Sequence, residues 1–238
     1  MKYKSAAITC AHLPATWSKL GLPQIHQFDN EASFSGGHTH RRVIGQVVHL
    51  CLFCGIEPLF TPFYEAKRNY QIETFHSLWV KAFWSRQEFR NCAHVQAESP
   101  LFERWYHHHY RPPSLDKTPA QMRRGATIIR LTRELQRLIP EGRLPITAGC
   151  IHFMRKVQPT GEIELLNETW LVGEPWIGEY VRATVNTWEQ VLTIWHKPDA
   201  AKDWQLLKTR QFRLKEPVQP LLLAFRRKRT RCLDCLPD

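Results

Sequence analysis

Acidic side chains are scarce at the front of this chain, where no Asp or Glu occurs before Asp29. Over all 238 residues, 22 Asp+Glu stand against 33 Lys+Arg, a formal net charge of +11. So marked a shortage of acid points to a polyanionic partner, although charge alone does not separate DNA, RNA and acidic surfaces. Long apolar runs are missing too. The longest, around residues 47–56, is interrupted by His49 and is far shorter than the ~18 residues that cross a bilayer. The N-terminus has no charged region followed by an apolar run and a small-residue cleavage site, so no signal peptide is expected. These absences argue against membrane, secreted and collagenous classes. There is no internal repeat and no low-complexity stretch. What is present, 43% hydrophobic and 23% charged residues, suits a folded chain able to bury a core without disulfide staples.

The positive excess is not spread evenly. Residues 111–143 carry 8 basic side chains against 3 acidic, and residues 144–224 balance at 9 against 9. The tail 225–238 again runs basic, through Arg226-Arg227-Lys228-Arg229-Thr230-Arg231. A solvated linker and a frayed terminus would explain these segments. Two basic segments flanking a neutral one also fit a protein that tracks a phosphate backbone. The expected phosphate contacts are Lys67, Arg68, Arg123, Arg124, Arg130, Arg226, Arg227, Lys228 and Arg229. The tail also resembles a nuclear-localisation run.

Seven cysteines, an odd number without a secretory context, suggest reduced thiols. Two CxxC pairs exist, Cys51/Cys54 and Cys232/Cys235. A zinc site usually draws its pairs from closer in sequence, and Cys51 and Cys54 sit in an apolar segment where small thiols pack. Core packing is therefore expected for that pair, and inert thiols for the other. His107-His108-His109 reads as helix surface.

Periodicity predicts a helix over 7–20, a strand over 25–28 ending at Asp29-Asn30, and a Gly-rich loop at 35–37. A helix then carries Ile44, Val47, Val48, Cys51 and Leu52 on one face and stops at Gly55. A strand over 57–61 and a long amphipathic helix from Tyr70 to Phe89 follow. Such alternation argues for a layered α/β core. Thr118-Pro119 is an N-cap and first-turn pair, and residues 126–138 read as a short basic helix. After Pro145 about five short strands recur at regular spacing, the pattern of a small β-barrel. Its tryptophans, Trp170, Trp176, Trp188, Trp195 and Trp204, read as core rather than as a base-stacking platform.

Two acids carry the chemical signal. Asp29 ends a strand, and Glu73 opens a long helix. Carboxylates in such settings can converge at the mouth of an α/β sheet and suit Mg²⁺, which leaves positions for water and phosphate. Spacing alone leaves a second reading open, in which Asp29 caps a turn and Glu73 complements the helix dipole.

The stretch from Gly21-Leu22-Pro23 through Asp29-Asn30, Leu52 to Pro62 and Asn69 to His76 resembles the integrase-type catalytic core of bacterial insertion-sequence transposases. Trp105-Tyr106-His107, Arg111-Pro112-Pro113, Leu115 and Thr118-Pro119 continue the likeness. Gly149-Cys150-Ile151-His152-Phe153-Met154-Arg155 and Gly178-Glu179-Tyr180-Val181 are similar to the small β-barrel that follows such cores. The resemblance implies an α/β fold: a partial RNase H-like (integrase core) layer followed by a small C-terminal β-barrel. It divides the chain into a core over 1–110, a basic helical connector over 111–144, a DNA-binding barrel over 145–220 and a basic tail over 221–238. Asp29 and Glu73 would be the second and third members of a DDE triad that holds Mg²⁺ or Mn²⁺.

Departures from the family pattern shape the expected function. The first triad Asp has no counterpart upstream of Asp29, and Asn30-Glu31 and Asn69-Tyr70 replace Asn-Gly pairs. The chain reads as the C-terminal part of a transposase that acts on double-stranded DNA, both transposon ends and target. Metal binding is expected to be weak and strand transfer impaired. The alternative is a non-catalytic DNA-binding fragment that regulates or partners a full-length transposase or forms a homo-oligomer. A generic basic nucleic-acid-binding module is the reading without the resemblance. A cytoplasmic, nucleoid-associated location and no membrane contact are expected.

Overall fold

The computed structural model describes residues 5–36, 40–65, 70–113, 115–126, 128–199 and 202–227. In chain order the first elements are α1 (Ala6–Leu20), β1 (Ile25–Phe28), α2 (Ala32–Ser35), α3 (Gln46–Phe53) and β2 (Glu57–Phe60). Next come α4 (Tyr70–Ala82), α5 (Cys92–His108), α6 (Pro119–Met122) and α7 (Arg133–Gln136). The strands β3 (Ile146–Thr147), β4 (Cys150–Lys156), β5 (Glu162–Leu165) and β6 (Glu168–Leu171) follow. Last are β7 (Tyr180–Asn186), β8 (Val191–His196), β9 (Gln205–Gln211) and β10 (Val218–Gln219). These fall into two compact units, Met1–Glu65 with Ile129–Asp238, and Ala66–Ile128.

The first unit is built on a six-stranded mixed sheet in the order β1-β2-β4-β7-β8-β9. β1, β2 and β4 run parallel, and β4, β7, β8 and β9 pair antiparallel. β1 and β2 are joined through α2 and α3, as parallel neighbours require a crossover. β4 lies inside the sheet, and its residues Ile151, His152 and Phe153 are all buried, as expected for a strand covered on both faces. The junction of β2 with β4 is fixed by stacked Phe60 and Phe153 rings at 5.1 Å. His152 completes it, with Nδ1 2.9 Å from Thr184 Oγ1 and Nε2 3.0 Å from Glu57 Oε2.

This pairing corrects the barrel expected over 145–220. Among the described residues β4, β7, β8 and β9 form an open sheet that continues from β2, while β5 with β6 and β3 with β10 make two separate two-stranded sheets, so no barrel closes. Alternation specifies which face of a strand is buried, not which strand lies beside it. The helix expected over 126–138 also shrinks, to Arg133–Gln136. Residues 128–131 lie outside any helix, and the carbonyls of Ile129 and Leu131 serve α1 and the turn after it. Ile129 O accepts the Leu22 N–H at 2.7 Å, and Leu131 O accepts the Ser18 hydroxyl at 2.8 Å. Thr132 then caps α7 by accepting the Leu135 N–H.

α3 is the apolar centre of the first unit. Val47, Val48, Leu50, Cys51 and Leu52 are at most 1% exposed. Cys51 and Cys54 are reduced and buried in this core, the packing role their setting predicts, and burial pushes the Cys54 thiol up to about 12.

The second unit is helical. α4 stops at Ala82, short of the expected Phe89, and gives way to a tight 3-10 turn at Trp84–Arg86. Leaving the helix lets Trp84 stack on Phe89 at 5.1 Å and Phe83 meet Phe89 at 5.0 Å. Asn91 caps α5 by accepting the His94 N–H at 2.9 Å. Phe83 and Phe102 are the buried apolar side chains of this unit among the described residues. α6 opens with the expected Thr118-Pro119 start and a complete capping box, in which Thr118 N–H donates to Gln121 Oε1 at 2.8 Å.

Candidate functional site

Parallel strands carry their ligands at their carboxyl ends, where the loops diverge. In the first unit these are the ends of β1, β2 and β4, and a cavity of about 480 Å³ opens there. Its walls come from Asn30 and Gly36 after β1, Phe63 and Tyr64 after β2, Arg155 and Lys156 at the end of β4, and the turn between β5 and β6.

Arg155 organises this wall. It occupies the inward phase of β4 after Ile151 and Phe153, and it is 4% exposed. Its Nη2 donates to Asn30 Oδ1 at 2.9 Å and its Nη1 to Thr61 O at 3.0 Å, tying together the segments that follow β1 and β2. Nε donates to Glu164 O at 3.0 Å, which adds β5. The guanidinium also lies 4.2 Å from the centre of the Phe63 ring. All of these partners are neutral oxygens or a ring face, and Arg155 forms no ion pair with a described residue. Desolvation therefore lowers its pKa to about 9, with the Glu164 carboxylate acting in the opposite direction.

The surrounding backbone is unusual. Among the described residues, three of the five non-glycine residues with positive φ line the cavity: Tyr64 (60°), Leu166 (47°) and Asn167 (60°). Leu166 and Asn167 form the two-residue turn of the β5–β6 hairpin, a geometry that demands positive φ at both places. Asn167 Nδ2 donates to His40 O at 2.8 Å, and the Arg42 N–H donates to Leu166 O at 3.0 Å. Gly36 closes the floor at φ 107°, so near Gly45 that an added Cβ would lie 2.8 Å from Gly45 N.

Asp29 directly follows β1 and is exposed, with Oδ1 accepting the Glu31 N–H at 3.1 Å in a turn leading into α2. Glu73 is exposed in the first turn of α4. The two acids belong to separate units. Among the described residues, no three His, Cys, Asp or Glu side chains form a group that could hold a metal ion.

The expected phosphate contacts divide. Arg124, Arg130 and Arg226 are exposed and Arg123 is half-buried. Arg227 is turned inward, where its Nη1 donates to Leu22 O at 3.1 Å and Pro23 O at 2.7 Å. Lys67, Arg68, Lys228 and Arg229 lie outside the described residues, as do Cys232 and Cys235. Of the five tryptophans assigned to the core, four are half-buried and Trp188 is 58% exposed. Sequence reasoning overlooked Arg155 although one signal was present: a cation in the inward phase of an otherwise apolar alternation.

No helix among the described residues is long and apolar enough to cross a membrane. No family model matches the chain, and a search of curated proteins gives no match.

Proposed function

We propose that this chain is a DNA-binding protein of transposition, related to the integrase-type transposases, with little or no strand-transfer activity of its own. One observation carries the reading. Asp29 immediately follows a strand that runs parallel to its neighbour, which is where the ordered motifs from Gly21 to Pro119 require an acid. The exposed cations Arg124, Arg130 and Arg226 support a partner recognised through its phosphates. Asp29 and Glu73 are the carboxylates toward which a divalent ion would be drawn.

The test is a duplex-binding titration over a range of salt concentrations. Neutralising ~5 phosphates gives a log–log slope of about −4 to −5, largely independent of sequence. Salt-insensitive binding, or none, removes the proposal. Incubation with transposon-end DNA and Mg²⁺ is expected to give no cleavage or joining. Cleavage abolished by Asp29→Asn would show instead that the chain is a competent transposase.

A further inference from the structure

We propose that the cavity at the carboxyl ends of β1, β2 and β4 binds a nucleotide through its phosphate and its planar base. This deepens the DNA reading above by naming the part of the nucleic acid that the first unit holds. The volume of about 480 Å³ lies within the range of small-ligand sites. Its chemistry is divided in the way a nucleotide requires.

One side presents cations. Arg155 is buried, its hydrogen bonds go to neutral oxygens, and it forms no ion pair with a described residue, although the Glu164 carboxylate of the same lining acts on its charge. Such a guanidinium gains most from an arriving anion, because its own desolvation is already complete. Lys156 follows it on the exposed side of the strand end. The titratable groups of the lining are Arg155, Lys156, Glu164 and Tyr64, so the described lining is net positive. The other side presents rings. Phe63 covers the guanidinium, and Tyr64 beside it is fully exposed at φ 60°. This bulky aromatic, held outward in the left-handed region, meets the Phe63 ring at 6.3 Å and offers a face on which a base can stack. A phosphate group alone would leave this ring without a use.

The proposal is tested on the full chain by calorimetric titration with deoxyadenosine 5′-monophosphate, deoxyadenosine and inorganic phosphate. The monophosphate is expected to bind, and each fragment to bind at least about tenfold more weakly. Tyr64→Gly, which suits the positive φ, should bring the monophosphate down toward inorganic phosphate by about tenfold. Lys156→Gln, at an exposed position, should weaken it several-fold. These two variants are preferred to changes at Arg155, whose removal would take a hydrogen bond from each of four oxygen acceptors. A 5′-phosphorylated oligonucleotide that competes, where its 5′-hydroxyl form does not, identifies a strand end as the source. Failure of both to compete identifies the free nucleotide.

No binding of the monophosphate, equal binding of deoxyadenosine, or unchanged binding in both variants overturns the proposal. Closed circular duplex, which has no ends, separates the two readings. If the circle binds and the monophosphate does not, the cavity assignment fails and the DNA reading stands; the reverse pattern retains the cavity alone.

Discussion

His26 stacks on Phe28 at 4.3 Å and meets the edge of Trp17 at 6.1 Å, and its buried Nδ1 has no hydrogen-bond partner among the described residues. Burial lowers its pKa from 6.5 to about 4. As pH falls, an unfolded chain takes up this proton near 6.5, whereas the folded chain resists until about 4. The unfolded state holds more protons between those values, so the contribution is fully present above 6.5 and is lost as pH falls through 4. The lowering is worth up to about 3 kcal/mol. His26→Phe keeps a stacking ring without the titration. Its urea midpoint should change less than that of the natural chain between about pH 7 and about pH 4.5; an equal change in both would remove His26 as the cause. Single residues were unevenly legible. Asp29 and Glu73 were placed correctly on their local elements, because strand ends and helix first turns have compositional signals. Arg155 was not, since its role depends on three segments that meet only after folding.

At the scale of elements, the crossover between β1 and β2 depends on two glycines. A Cβ on Gly45 would lie 2.7 Å from Gly36 N and 2.8 Å from Phe34 O. Both are backbone atoms, so neither can turn aside as a side-chain tip could. Gly45→Ala is therefore expected to cost about 1–3 kcal/mol, as overpacking does, measured as a lowered denaturation midpoint with an unchanged slope. A neutral result would mean that the turn before α3 yields more readily than its contacts indicate. The elements themselves were legible wherever one face is apolar: α1, β1 and β2 fall within a residue of their expected bounds, and strands recur after Pro145 as expected. The 126–138 segment was misread because a helical pattern there competes with carbonyls already engaged by Leu22 and Ser18. Propensity is a weak prior against such tertiary bonds.

For the whole molecule, the two units differ in how they are stabilised. The first has a continuous buried core and a six-stranded sheet, while the second buries Phe83 and Phe102 among its described apolar residues. Local stability follows buried apolar contact. Hydrogen exchange should then be slower in β4 than in α5 under native conditions, and equal protection of 150–156 and 92–108 would contradict this. The partner of β4 was not legible, since periodicity has no term for a neighbour so distant in sequence. That distance matters while the chain is being made. Glu57 and His152, which clasp β2 to β4, are 95 positions apart. At ~5–20 residues per second, a ribosome needs on the order of 5–20 s to deliver the second strand after the first. During that interval β2 has emerged with the edge meant for β4 unpaired, and bare strand edges template aggregation. Slower synthesis between these two strands is therefore expected to raise the aggregated fraction, whatever the stability of the finished fold.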